Sequence, residues 1–419
     1  MASASPPSRT NEPRKAVLLI VALAPIFLDI GFLQVVISAW LPTVGFTPFQ
    51  VGLLITAQGA LAVVTSIPLG IVSDVYGRKV ILIVATLAGS VGLLIYALTL
   101  DFTALIVASA VLGLAEGGTV SVWNALLADL TEGGSRNRIF SYSYVMVSMA
   151  SGIGLLLPGL FPFVEGPLGL TAYALHKSAL LVLGVASFAS PVGIATLIWN
   201  HKETHNPGRK FSGMKNMGTL AKLGLVGGSI GFGAGFIIPL VGTWFLLRFN
   251  AGDAYSGPVL ALSSILIGLA AFAAPWMAKK YGQLNAIMLT TGSSTIFMLG
   301  MAFIPWVNTA ALFYVIRSGL MNMNGPLMDS FSMSIFPAEQ RGLVSAATNT
   351  IFRLPNSVST SFGGYLLGVG LLAYPFIIAS ALYMLGLGAF FVFFVASRKY
   401  SQAVVPEGPP SVAEELVKE

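Results

Sequence analysis

The chain has 419 residues, of which 55% are hydrophobic and only 9% charged; a water-soluble domain carries about a quarter charged residues, so a soluble globule is excluded. The net charge of +6 comes from 22 Lys and Arg against 16 Asp and Glu. Cysteine is absent, which excludes a disulfide framework, a thiolate metal site and a cysteine nucleophile.

The N-terminal tail, 1–15, is polar and ends in Arg14-Lys15. It runs straight into about 25 apolar residues, longer than a signal-peptide core and without a small-x-small cleavage site, so it reads as an uncleaved first span. Apolar stretches follow at 48–73, 79–100, 102–128, 137–160 and 173–199 after a first at 16–40. A second series lies at 218–247, 254–278, 284–305, 309–335, 342–370 and 372–397. Each is near the roughly 20 residues needed to cross a hydrocarbon core. Each is expected to be helical, because unpaired backbone groups are costly in lipid. The spacing therefore predicts an all-α membrane protein with twelve transmembrane helices in two pseudo-symmetric six-helix bundles, 16–199 and 218–397. A polar central loop, 200–217, separates them, and a polar tail, 398–419, follows.

Basic residues fall on one side of this arrangement. Arg78, Lys79, Arg136, Arg138, Lys202, Arg209, Lys210, Lys279, Lys280, Arg341 and Arg398 share the side of the N-terminus, and only Lys177 and Arg248 lie near the other. The bias predicts a multi-pass protein of the cell membrane with both termini cytoplasmic. The basic balance thus reports topology, and no nucleic-acid partner is expected.

Between spans two and three the sequence reads Gly70-Ile71-Val72-Ser73-Asp74-Val75-Tyr76-Gly77-Arg78-Lys79. Gly70 permits close helix contact, Gly77 a tight turn, and Asp74 can pair with Arg78 or face a helix N-terminus. The segment resembles the signature loop of the major facilitator superfamily, Gly-x-x-x-Asp-x-x-Gly-Arg-Lys/Arg, in the position that family requires. The resemblance implies a secondary transporter in which Asp74, Arg78 and an acid at the inner end of span four, here Asp129, form a latch holding the outward-open state, with Gly70, Gly77 and Lys79 completing the motif. The equivalent loop of the second half keeps only Lys279-Lys280 and Tyr281-Gly282, so the latch is expected on one side only. A weaker echo relates the halves: Glu132 to Arg138 after span four and Glu339 to Gly342 after span ten both place an acid and then Arg before the next helix.

An ionisable side chain at mid-membrane is costly unless it faces a cavity or a partner, and so marks a candidate site. Asp29 in span one, Glu116 in span four, Arg317 in span ten and Arg353 in span eleven lie at such depths. The family resemblance implies that spans one, four, seven and ten line a central cavity, and hence that Asp29, Glu116 and Arg317 face it. Helical spacing groups Glu116 with Thr119 and Trp123, Arg317 with Met321, Asn324 and Met328, and Arg353 with Asn349, Asn356 and Thr360. A second reading has the two acids clamped statically to the two arginines. Trp123 and Asn324 join the four charges as proton or substrate residues.

Other patterns carry less. The exporter pattern Arg-x-x-x-Gly of this superfamily meets Ser109 four residues before Gly113, and Gly154 to Gly159 only hints at the span-five signature. The glycines Gly227, Gly231 and Gly235 recur four apart within span seven, which suits helix packing better than a phosphate loop. His201 and His205 read as linker residues, and His176 lies near a span end. No cofactor, metal site or catalytic residue is expected, and the chain does not read as an enzyme. The expected function is secondary transport of a small organic solute by alternating access, linked to a proton or another coupling ion, with efflux of drug-like compounds as the leading case. Organic-anion uptake or exchange using Arg317 and Arg353 is the alternative, and a non-transporting membrane sensor is the alternative of another class. The expected partners are the small-molecule substrate, the coupling ion and the lipid bilayer, around a functional monomer.

Overall fold

The computed structural model describes residues 13–131, 134–199, 216–337 and 340–397. The parts of the expected tails and central loop at 1–12, 200–215 and 398–419, with His201, His205, Glu132 and Glu339, lie outside the described residues. Within them run twelve long helical segments: α1 (Pro13–Val44), α2 (Pro48–Tyr76), α3 (Arg78–Leu98), α4 (Phe102–Asp129), α5 (Gly134–Leu168), α6 (Ala172–Ile198), α7 (Met217–Phe249), α8 (Asp253–Tyr281), α9 (Gln283–Met301), α10 (Val307–Ile335), α11 (Arg341–Gly368) and α12 (Tyr374–Val395). Ten segments are long and apolar enough to cross a membrane. The two others, α10 and α11, are as long, at 29 and 28 residues. Their composition is more polar because they carry Arg317, Asn324 and Asp329, and Asn349, Arg353 and Asn356.

Local chemistry sets the helix starts. Thr47 and Gln50 form a reciprocal capping box ahead of Pro48, Asp101 accepts from the Ala104 N–H at 2.8 Å, and Thr171 accepts from Ala174 at 3.2 Å; each satisfies an otherwise unpaired N–H of the first turn. Between α2 and α3 the backbone turns at Gly77 with φ +99°, and between α8 and α9 at Gly282 with φ +80°. Both angles are in the region glycine adopts without steric cost. α1 is interrupted at Leu23 ahead of Pro25, which has no N–H to continue the ladder. The Ile26 N–H there donates to Ser190 Oγ of α6 at 3.3 Å, close to where α6 is itself interrupted at Ser187 and Phe188.

Packing repeats with an offset of six helices. α1 lies on α5 and α6, α2 on α4, and α3 on α4 and α6; in the second half α7 lies on α11 and α12, α8 on α10, and α9 on α10 and α12. Glycine permits the closest of these contacts: a Cβ at Gly31 or Gly154 would overlap the carbonyls of Ser151 or Leu28, and one at Gly231 or Gly235 those of Phe352 or Asn356. Arg136 at the start of α5 donates to the carbonyls of Ala128 and Thr131 at 3.2 and 3.0 Å. Arg341 at the start of α11 donates to that of Phe336 at 3.4 Å. The arginines of the sequence echo thus do the same work in both halves, tying the end of one helix to the start of the next.

The halves meet through α2 with α11, α5 with α8, and α1 with α7. Their contacts lie toward the end away from Gly77, here called the far end. Thr56 Oγ1 donates to the Ser357 carbonyl at 2.8 Å, Thr243 Oγ1 to that of Ser38, Phe49 meets Tyr365 edge-on at 6.3 Å, and Gly257 lies against the Leu155 carbonyl. The opposite, basic end carries Arg78, Lys79, Arg136, Lys279, Lys280 and Arg341, and there the halves diverge.

Candidate functional site

Divergence of the halves leaves a vestibule of about 1250 Å³ at the basic end, between α2, α4 and α11. A central cavity of about 610 Å³ lies deeper, where α1, α2, α4 and α5 face α7, α8 and α11. A third cavity, of about 470 Å³, lies within the second half, lined by α7, α9, α10, α11 and α12.

Glu116 and Arg353 stand where the vestibule meets the central cavity and line both. Arg353 Nη2 donates to Glu116 Oε1 at 2.7 Å, joining α4 of the first half to α11 of the second across 237 residues of sequence. Their side chains are 29% and 45% exposed, so water screens the attraction and the bridge is worth roughly 0–1 kcal/mol. A charged ligand can replace either partner of such a bridge at little cost. Arg353 also lines the third cavity, which makes it common to all three.

The other two mid-membrane charges do not pair. Asp29 is 1% exposed, and neither carboxylate oxygen has a partner among the described residues. The face of α1 that lines the central cavity is formed by Ile26, Phe27, Ile30, Leu33, Gln34 and Ile37, and Asp29 lies beside it, about a quarter of a turn from its middle at 3.6 residues per turn. Arg317 lines none of the three cavities. It is 4% exposed, and its Nη2 donates to the Tyr383 hydroxyl of α12 at 2.7 Å. Met321, Asn324 and Met328, on the same stripe of α10, do line the third cavity. The cavity ends before the level of Arg317, where Tyr383 fills the space. Of the clamp weighed from the sequence, only the Glu116–Arg353 half is formed.

Thr119 lines the central cavity with Glu116, whereas Trp123 turns to α5, where its Nε1–H donates to Ser143 Oγ at 2.8 Å. Asn324 is largely buried and its Oδ1 has no partner among the described residues. Asp329 lies near it on the wall of the third cavity. Trp244 is packed among Phe245, Phe249 and Phe376, while Tyr144 lines the central cavity. Gly227 also lines the third cavity, unlike its packed neighbours Gly231 and Gly235.

In the loop motif, Arg78 pairs with Asp129 and reaches Asp74 at 3.6 Å, and Lys79 Nζ donates to the carbonyl of Trp199, which caps α6, at 3.0 Å. All of these bonds stay within the first half. Asp74 and Gly70 line the vestibule, facing Gly342 and Ser345 at the start of α11. A Cβ on Gly70 would meet Ser121 at an ordinary 3.7 Å, so this glycine is not closely packed with the basic end open.

One pair escaped the reading of spans and motifs. His176 of α6 and Asp253 of α8 bond at 2.6 Å between the halves at the far end. Both lie at span ends, where charged residues are ordinarily solvated. The signal that marks them is the presence of an acid and a histidine on the end that is otherwise poor in charge.

Comparison with known proteins agrees with this architecture. The chain is 25% identical over 265 residues to the class H tetracycline resistance protein of Pasteurella multocida, a match covering 61% of this chain and 63% of that protein. It is 25% identical over 182 residues to the quinolone resistance protein NorA of Staphylococcus aureus, covering 43% of each. Among solved structures, a bacterial homolog of the human lysosomal transporter Spinster, in an inward-facing and unoccupied conformation, superposes with a TM-score of 0.73 at 14% identity, over 97% of this chain and 100% of that one. A point mutant of the nucleoside transporter NupG superposes with a TM-score of 0.71 at 13% identity, over 90% and 99%. These structural likenesses concern the fold. With the loop motif, the two six-helix halves and a match to the Major Facilitator Superfamily profile over residues 19–360 all on one chain, the protein belongs to that superfamily of transporters.

Proposed function

We propose that the protein is a proton-linked secondary transporter that exports small amphiphilic organic compounds by alternating access, and that the basic end faces the cytosol. The observation that carries this reading is the Glu116–Arg353 bridge, which joins the two halves on the path from an open vestibule to a central cavity. With the far end closed and the basic end open, the arrangement corresponds to the inward-open member of the cycle. Solute entering from the vestibule meets the bridge, and its charge competes with one partner of the pair. A proton on Glu116 releases Arg353 in the same way, so proton and solute act on one bond. Asp29 adds a second buried carboxylate, on α1, without a partner among the described residues. The tetracycline and quinolone resistance proteins among the relatives favour efflux. The loop motif would close the basic end in the opposite state, when Asp74 approaches the start of α11.

Flux of cationic and neutral dyes from proteoliposomes under an imposed pH gradient tests this reading. Glu116→Gln is expected to lower pH-driven flux about tenfold or more while the protein stays folded and inserted, since the exposed bridge contributes little to stability. Wild-type flux in Glu116→Gln and Asp29→Asn alike would remove proton linkage through these residues. A second reading, exchange of organic anions, draws on Arg353 being common to all three cavities. It is favoured if carboxylates compete for transport and Arg353→Ala abolishes the competition.

A further inference from the structure

His176 lies in the second turn of α6 and is 2% exposed. Its Nδ1 is 2.7 Å from the carbonyl oxygen of Ala172, and its Nε2 is 2.6 Å from Oδ2 of Asp253, the first residue of α8. A carbonyl oxygen only accepts, so Nδ1 carries a proton. An ionised carboxylate only accepts as well, so the bond to Asp253 requires a second proton, on Nε2. The surroundings suit that charged pair. The N-terminus of α8 favours Asp253 as an anion. The Trp40 ring lies parallel to the imidazole at 4.8 Å and 5°, with Phe161 edge-on at 4.7 Å and Phe32 at 6.4 Å, and aromatic faces attract a cation. All three rings belong to the first half. Asp253 alone comes from the second.

We propose that His176 and Asp253 form a proton-binding latch that holds the far end closed. With the proton in place the pair is a charge-assisted bond across the seam between the halves. Without it, the Nε2 lone pair faces a carboxylate oxygen at bonding distance, and the repulsion favours separation. Opening of the far end takes Asp253 away and leaves the ring in its aromatic box without an anion. Proton binding from the far-side compartment and far-end closure are therefore linked, each favouring the other. The latch rests on the alternating-access reading but not on the identity of the solute.

Other titratable groups lie on the neighbouring elements: Lys177 and Tyr173 on α6, Asp29 on α1, Tyr96 on α3, Glu165 on α5, Arg248 at the end of α7 and Tyr255 on α8. Among the described residues, none of these makes an ion pair with His176 or Asp253. Tyr173 packs on Trp40 at 6.0 Å, Tyr96 bonds to Ser109, and Tyr255 donates to Asn308.

The absence of cysteine and the presence of only three histidines make the test direct. Spin labels at Leu170→Cys and Val369→Cys, on far-end turns of opposite halves, report the gap in substrate-free protein in nanodiscs. A His201→Gln, His205→Gln background leaves one imidazole, whose ring nitrogens report its protonation by NMR in matching samples. The ratio of closed to open far end is expected to fall about tenfold or more from about pH 5 to about pH 8, in step with loss of the ring proton. His176→Gln and the isosteric Asp253→Asn, whose amide can donate to the neutral ring, should each abolish the pH response. A gap that does not change with pH in the His176 protein, or a pH response that persists in Asp253→Asn, overturns the latch. Because no solute is present, either result leaves the transport reading to its own flux test.

Discussion

At the far end the two halves approach through backbone. Gly52 of α2 has no room for a Cβ beside the Thr360 carbonyl, Gly364 of α11 has none beside that of Pro48, and Thr56 bonds to the Ser357 carbonyl. At the basic end the same two helices diverge around a vestibule of about 1250 Å³, and the charged groups are satisfied locally: Arg78 by Asp129 and Asp74, Arg136 by the end of α4, Arg341 by the end of α10. The closed end thus depends on contacts between halves and the open end on contacts within each half. A transporter of this design can part at the far end by losing the seam, while each half keeps its own packing and its own basic turns intact.

The largest effect should come from filling the seam. Gly52→Val places two methyl groups against the α11 backbone, and overpacking of this kind costs about 1–3 kcal/mol. The closed-to-open ratio at the far end should fall about tenfold or more, read from the Leu170 and Val369 labels; an unchanged ratio would mean that the seam yields without opening. Next is a change inside one half. Tyr383→Phe leaves the buried Arg317 guanidinium without its hydroxyl acceptor, at a cost of about 1–3 kcal/mol. Denaturation of the purified protein should show that loss with the far-end ratio unmoved, whereas a shift in the ratio would give Arg317 a part in the conformational cycle.

A smaller effect is expected from Trp123→Phe, which removes one hydrogen bond between α4 and α5, worth about 0.5–1.5 kcal/mol. Flux should stay near wild type, because the indole lines none of the cavities; a lowered flux with unchanged stability would restore Trp123 to the solute path. Asn324→Ala should be the mildest for the fold, since its Oδ1 has no partner among the described residues. Solute affinity, followed by thermal shift of the purified protein, should nevertheless weaken several-fold if the third cavity is occupied during transport.

Much of the architecture was legible from the chain. The apolar stretches predicted twelve spans, and the helices lie on them with ends shifted by a few residues either way, as at Gln283–Met301 against 284–305, and by eight at Leu168 against 160. Helical order inside lipid follows from backbone hydrogen bonding alone, which is a local demand. The turn at Gly77 was legible for the same reason, since glycine adopts a φ of +99° without steric cost. The candidate site was legible in part. The stripes on α4, α10 and α11 were identified, but not where along each stripe a cavity begins and ends: Thr119 and Met321 line cavities, while Trp123 and Arg317, on the same faces, meet Ser143 and Tyr383.

Hydropathy, loop charge and the Gly70 to Lys79 motif determined by themselves that this is a polytopic helical protein of the Major Facilitator type, because each is a property of consecutive residues. Only the tertiary structure decided that Glu116 meets Arg353, that Asp29 meets no cation among the described residues, and that His176 meets Asp253. Those partners lie on separate helices, and which of them come within bonding distance depends on the rotation and depth of each helix against its neighbours. Close glycine contacts and aromatic packing distributed over the whole bundle set that rotation and depth.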